Sequence, residues 1–323
     1  MILPILTIVI SLVLLAISAD KFVEGASSVA YSFGVSPLLI GLTIVSFGTS
    51  APEILIAVMS ATSGSSAIAV GNAIGSNIAN IALILGAASL FMPIPVESSV
   101  LRREIPLLLG VALFSTALLL DLHLSVIDGV ALIVTLFLCL GWLVWQSQSQ
   151  SKDSIAGEYE HKLEEQPKTG KAALITIIAL LVLLLSSRTL VWAAVEIARA
   201  ANVSELMIGL SIIAVGTSLP ELAATIAAVL RREFGLAIGN VVGSNIFNAL
   251  AVLGVVALLA PGDVDSMVRN RDAVIHIALT VALFVFCVGW KKNNGRINRF
   301  EGFLFLAAFI TYQVFLYLQE GGT

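Results

Sequence analysis

Two polar motifs occur twice in this chain, in the same order and at the same separation. Gly48-Thr49-Ser50-Ala51-Pro52-Glu53 returns as Gly216-Thr217-Ser218-Leu219-Pro220-Glu221. Gly71-Asn72-Ala73-Ile74-Gly75-Ser76-Asn77-Ile78-Ala79-Asn80 returns as Gly239-Asn240-Val241-Val242-Gly243-Ser244-Asn245-Ile246-Phe247-Asn248. Both pairs are displaced by 168 residues (48 to 216, 71 to 239), and Val35-Ser36 recurs as Val203-Ser204 at that offset. A match of this length at constant spacing identifies a duplicated unit. Whatever the chain folds into is built from two copies of one structure.

Each motif lies inside an apolar run. Of the 323 residues, 58% are hydrophobic and 12% are charged, too little charge for a water-covered surface. A bilayer-spanning helix needs about 20 apolar residues. Ten such runs occur, at 2–19, 37–61, 67–91, 105–121, 125–146, 172–196, 206–230, 235–260, 273–290 and 301–318. The fold expected is an all-α integral membrane protein. The one long polar connection, 147–171, separates a first unit at 1–146 from a second at 172–323 and is too short for a folded domain. Within the units the repeated regions span about 37–91 and 206–260. Five spans per unit is an odd number, so the second copy enters the membrane from the opposite side. That is an inverted repeat, which sets the repeated motifs face to face near the bilayer midplane.

Basic residues fix the orientation. With both termini outside, the cytoplasmic loops hold Lys21, Arg102, Arg103, Lys152, Lys162, Lys168, Lys171, Arg231, Arg232, Lys291, Lys292, Arg296 and Arg299 of the 17 basic residues. Only Arg199, Arg269 and Arg271 lie outside, and Arg188 falls in or near the sixth span. Trp142, Trp145 and Trp290 sit near inner span ends, as interfacial aromatics do. No Lys or Arg precedes the first apolar run, so it reads as a retained helix rather than a signal peptide. A net charge of −4 with no long basic cluster argues against nucleic-acid binding. Cys139 and Cys287 lie within apolar runs and read as packed or lipid-facing thiols.

Glu53 and Glu221 each fall deep in a span, where a carboxylate costs about 2.5–3.5 kcal/mol and must face a cavity or a partner. Ser46, Thr49, Ser50 and Glu53 recur at i, i+3, i+4 and i+7, one stripe of a helix. The second copy supplies Ala214, Thr217, Ser218 and Glu221. Pro52 and Pro220 remove the donors for the carbonyls of Gly48 and Gly216, so each helix should kink and leave carbonyls needing a partner. Ser76 with Asn80, and Ser244 with Asn248, share helix faces that Asn72 and Asn240 extend. The glycine pairs 71/75 and 239/243 permit close helix approach. This donor set is all oxygen, and His123, His161 and His276 lie outside it. Hard cations want such a set; Zn²⁺ or Cu⁺ would call for imidazole or thiolate. No metalloprotease pair, nucleophile–base arrangement, cofactor motif or EF-hand loop is present, so neither an enzyme nor a cofactor is expected.

The doubled Gly-Thr-Ser-x-Pro-Glu and Gly-Asn-x-x-Gly-Ser-Asn-Ile-x-Asn motifs resemble the two α-repeats of the sodium/calcium exchangers, in the cation/calcium antiporter superfamily, and most closely its compact prokaryotic members. The resemblance covers essentially all ten spans. It implies two inverted five-helix halves around four central ion sites in a prokaryotic cytoplasmic membrane, exchanging Na⁺ for Ca²⁺, with one monomer sufficient for transport. It also implies roles. Glu53 and Glu221 would be bidentate Ca²⁺ ligands, and Thr49 and Thr217 would give backbone carbonyls. Ser46, Ser50, Ser76, Ala214, Ser218 and Ser244 would complete Na⁺ sites, with Asn80 and Asn248 bordering the centre. Some members carry Asp where this chain has Asn248, so its site holds two formal negative charges. Ca²⁺/H⁺ exchange through the same glutamates and a cation channel are the competing readings.

Overall fold

The computed structural model describes residues 2–63, 66–150, 169–201, 214–288 and 295–320. Most of the expected linker, the start of the seventh span, Val203-Ser204 and Trp290 lie outside the described residues. Within them the chain is helical apart from short connections. The spans appear in order as Ile2–Ser32, a bent pair Pro37–Thr49 and Ala51–Thr62, Ser66–Phe91, Glu104–Ala117, Val126–Gln150, Thr169–Ala200, Leu219–Leu230 preceded by Ala214–Thr217, Phe234–Leu259, Val268–Val288 and Arg299–Glu320.

Spans 1 and 6 are longer than their apolar runs, at 31 and 32 residues. The runs at 2–19 and 172–196 stop where charge begins, but charge ends membrane burial and not a helix. Nothing in Asp20–Ser32 breaks a helix. Span 1 stops at a Schellman turn: Gly34 has φ +62°, Gly34 N–H donates to the Tyr31 carbonyl and Val35 N–H to that of Ala30. At about 46–48 Å, both helices exceed the roughly 30 Å apolar core, so they tilt or project from it. Span 4 departs the other way. Its helix is 14 residues and ends at Ala117, because Leu118–Leu122 turn and Leu122 takes φ +62°.

Spans 1 and 6 pack against each other antiparallel. Ser11 Oγ meets Thr189 Oγ1 at 2.8 Å, and fourteen residues on along span 1, Gly25 lies against Thr176 and Ala172. Any Cβ at Gly25 would overlap the Thr176 hydroxyl, so glycine is required for the approach. Ser36 caps span 2, its hydroxyl accepting from Leu39 N–H at 3.2 Å, and Pro37 sits in the first turn, where a missing N–H costs nothing. This part of span 2 runs parallel to span 8: Gly41 lies against Leu236 and Gly239, and Gly243 against Leu42 and Ser46. Span 3 crosses span 10 through Gly86 and Gly302, and span 5 crosses span 8 through Gly129 and Gly254, both antiparallel.

Two short antiparallel strand pairs tie the repeats together. Ile94–Pro95, after span 3, pairs with Arg296–Ile297, before span 10. His123–Leu124, between spans 4 and 5, pairs with Gly262–Asp263, after span 8. Arg231, after span 7, donates to Asp20 and Glu24 of span 1 at 2.7 and 2.8 Å. Paired segments must lie on one side of a bilayer, so an even number of crossings must separate them. Ten spans satisfy this in every case, with six, four and six crossings between. The helix directions and these ties agree on two inverted five-helix halves. Cys139 and Cys287 are buried free thiols, as expected.

Candidate ion-binding site

The site grows from two broken helices. Pro52 occupies the second position of Ala51–Thr62 and cannot donate to Gly48, and the chain bends by 42° at Ser50, where φ is −82° and ψ 4°. Ser218 repeats this backbone, with φ −90° and ψ 6°, ahead of Pro220. Each break starts a new helix with its glutamate in the first turn. There the unpaired N–H groups and the helix dipole favour an anion. Glu53 and Glu221 are both 1% exposed. One of the carbonyls expected to need a partner has a protein one: Gly216 O accepts from Ser187 Oγ of span 6 at 3.1 Å.

The two halves meet side chain to side chain. Ser50 of the first repeat donates to Glu221 Oε1 of the second at 3.2 Å. Thr49 Oγ1 donates to Asn240 Oδ1 at 3.1 Å, and Asn240 Nδ2 donates to Thr225 Oγ1 at 2.9 Å and the Glu221 carbonyl at 3.3 Å. Asn80 and Asn248 stand at equivalent positions where spans 3 and 8 widen into π-helical turns, Asn80–Leu85 and Asn248–Val252. Such turns break the regular ladder and recur at functional sites.

The unsatisfied polar atoms mark what this arrangement is for. Both Glu53 oxygens, Glu221 Oε2, the hydroxyls of Ser76, Ser218 and Ser244, both amide atoms of Asn80 and Asn248 Oδ1 are buried without a hydrogen-bond partner. An unmet buried polar group costs about 1–3 kcal/mol, so a set of this size drawn from the two repeated motifs is intelligible as a cradle for an oxygen-seeking ligand. Ser46, Thr49 and Ser50 are buried beside it. The Ser46 hydroxyl is instead committed to the Thr43 carbonyl at 3.3 Å, and the Ser46 carbonyl accepts from Ser50 N–H at 2.9 Å. Thr217 is half-buried in the second stripe. The Ala214 backbone begins the short helix before Ser218, and its side chain lies outside the described residues. Among the described residues no cluster of three or more His, Cys, Asp or Glu side chains exists. The oxygens gathered there, from hydroxyl, amide and carboxylate groups, are the type that suits a hard cation.

The sequence reading missed several participants. Thr225, Ser187 and the bridging role of Asn240 are set by neighbours far along the chain. Glu104 and Asp272, both buried at the start of the fourth span of each half, lie at the same 168-residue offset (104 to 272) and were legible from it. Glu104 meets Gln146 at 3.4 Å, and Asp272 meets Arg271 at 2.7 Å and Tyr312 at 3.0 Å.

Inverted halves, broken helices and polar groups at the breaks define a secondary-transporter class of membrane protein. The chain belongs to the sodium/calcium exchanger family: the family described as sodium/calcium exchanger protein matches residues 3–145 and 171–318. It is 45% identical to a putative antiporter, CaxA, of Alkalimonas amylolytica, over 96% of this chain and 97% of that one. It is 39% identical to the inner membrane protein YrbG of Escherichia coli strain K12, over 96% and 95%. A solved structure of the sodium-calcium exchanger NCX_Mj, soaked with Na⁺ and Ca²⁺, superposes with a TM-score of 0.83 at 32% identity, covering 96% of this chain and 97% of that one. This chain is thus a multi-pass membrane antiporter of that family, a family of transporters that carry Na⁺ and Ca²⁺.

Proposed function

We propose that this protein exchanges Na⁺ for Ca²⁺ by alternating access, three Na⁺ for each Ca²⁺, in the cytoplasmic membrane of a prokaryote with both termini outside. The observation that carries the reading is the buried pair Glu53 and Glu221, with three of its four carboxylate oxygens unpartnered, set between two inverted halves. The transported ions are substrates. Glu53 and Glu221 hold Ca²⁺, with the carbonyls of Thr49 and Thr217. Ser46, Ser50, Ser76, Ala214, Ser218 and Ser244 complete Na⁺ coordination through hydroxyls or carbonyls, and Asn80 and Asn248 border the centre. Two ionised carboxylates sharing one buried site repel by on the order of 3 kcal/mol at an effective dielectric near 20. Burial of an unpaired charge adds several more. An empty ionised site therefore resists the occluded state, and only loaded carriers cross, which enforces exchange.

Purified protein in proteoliposomes tests this. Ca²⁺ uptake should follow an imposed Na⁺ gradient with pH clamped on both sides. Uptake that instead follows a proton gradient with Na⁺ absent would assign H⁺ as the counter-ion, and unitary currents would assign a channel.

A further inference from the structure

Arg103-Glu104 returns as Arg271-Asp272 at the 168-residue offset, but the two pairs are held differently. Arg271 and Asp272 share one continuous helical turn, Val268–Ala273. The Arg271 guanidinium donates to Asp272 Oδ1 at 2.7 Å, and the Tyr312 hydroxyl donates to the same oxygen at 3.0 Å. In the first repeat the helix breaks at Arg103, with φ −131° and ψ −61°, between Ser98–Arg102 and Glu104–Ala117. Arg103 is exposed, whereas Glu104 is 4% exposed. Among the described residues no cation forms an ion pair with Glu104.

The neighbour of Glu104 is instead the amide of Gln146 in span 5, whose Nε2 donates to Glu104 Oε1 at 3.4 Å. The repeat offset places Val144 opposite Tyr312 and Val314 opposite Gln146, so each half has its own solution. Glu104 Oε2 and Gln146 Oε1 are left over, both buried and both without a partner. An ionised carboxylate offers only acceptors, and burying it unpaired is costly. A hard cation wants several more oxygens than these two. A neutral carboxylic acid has one O–H donor. A single proton on Oε2 therefore satisfies both leftover atoms, while Oε1 goes on accepting from Gln146.

We propose that Glu104 binds a proton on Oε2 and closes a two-bond acid–amide pair with Gln146, a proton site outside the ion-binding centre that ties the start of span 4 to the end of span 5. The site lies on the Arg231 face, because four crossings separate the connection before span 4 from the one after span 7. Without the proton, two acceptors face each other and the tie opens, so the contact between spans 4 and 5 depends on pH. Arg103 and Glu97 are the charged groups whose fields reach Glu104. Span 8, Phe234–Leu259, carries no charged residue. Span 9 carries Arg269, Arg271, Asp272 and His276 in its half towards the opposite face, and Cys287 near this one. Span 5 carries Cys139 and, at its far end, Asp128. The site is independent of which ions the centre transports.

Infrared difference spectroscopy of the purified full chain, parental minus Glu104→Gln, tests this. The amide introduced by Glu104→Gln can make both hydrogen bonds of the acid form, so the fold is kept. At neutral pH the difference should contain the carbonyl stretch of a protonated carboxylic acid, which shifts in D₂O. Raising the pH should convert it reversibly to carboxylate bands. Gln146→Leu leaves Glu104 in place and removes its partner, so the acid carbonyl band should move to higher frequency. Carboxylate bands at neutral pH would mean a bare charge or a bound cation at Glu104 and would overturn the proton site. An acid band that stays in place in Gln146→Leu, or that persists unchanged until alkali unfolds the protein, would overturn the pH-dependent tie.

Discussion

Glu53 and Glu221 carry the sharpest expectation at the residue scale. Each is buried in a membrane span, each sits in the first turn after a helix break, and the pair shares one region of unpartnered oxygen atoms. Glu53→Gln and Glu221→Gln should each reduce Ca²⁺ uptake to background while the protein still elutes as a folded, monodisperse species. Removing a buried charge does not destabilise a membrane span, but Ca²⁺ loses half of its compensating charge. Near-normal uptake by either variant would remove that residue from the ligand set. The glutamates were legible in the sequence because an ionisable group in an apolar run is conspicuous. Asn240 was visible only as part of a polar stripe. Its function as a bridge depends on Thr49, 191 residues away, and no local pattern reports such a neighbour.

Helices show why patterns of residues foretell some boundaries and not others. Pro52 and Pro220 announced the breaks, because a missing N–H acts on its own helix wherever that helix is packed. The length of span 1 was not announced, because an apolar run measures contact with lipid and residues 20–32 continue the helix as a largely buried, protein-packed segment. Close packing gives a second prediction. A Cβ at Gly243 would overlap the Ser46 hydroxyl and the Leu42 carbonyl of the neighbouring span. Gly243→Val should therefore cost about 1–3 kcal/mol or more through overpacking and lower the melting temperature in detergent. Gly141→Ala, where no neighbouring atom lies within 4 Å, should leave it near the parental value.

The whole molecule is governed by parity and charge. Antiparallel spans 1 and 6, and pairings that join the connection after span 3 to that before span 10, require the halves to be inverted. Cysteines at Ser154 and Gly322, in a protein lacking Cys139 and Cys287, should label from opposite sides of the membrane, Ser154 from the cytoplasm. Labelling of both from one side would contradict the five-plus-five arrangement. The charge moved in one cycle tests the proposed stoichiometry. With Asn248 neutral, two Na⁺ match the two carboxylates and three leave the loaded site at +1. Three Na⁺ for one Ca²⁺ moves net charge, so a valinomycin-clamped potential should alter the Ca²⁺ flux. A flux indifferent to potential would select two Na⁺ for each Ca²⁺.

The duplication, the membrane-spanning class and the inversion are legible in the chain alone. Each follows from composition or from spacing along one chain: hydrophobicity sets burial in lipid, an odd span count sets inversion, and proline sets the helix breaks. Which polar atoms remain unpaired and which are consumed within the protein depends on the packing of distant spans. Gly216 O is taken by Ser187 and Ser46 Oγ by Thr43, while Glu53 keeps both oxygens unpartnered. That packing also makes two chemically matched halves differ, with Asn240 bonded on three sides and Asn72 Nδ2 unpartnered. A repeat fixes what the halves are made of. The tilt of long helices and the contacts between distant spans fix how each half is held, and those depend on every neighbour at once.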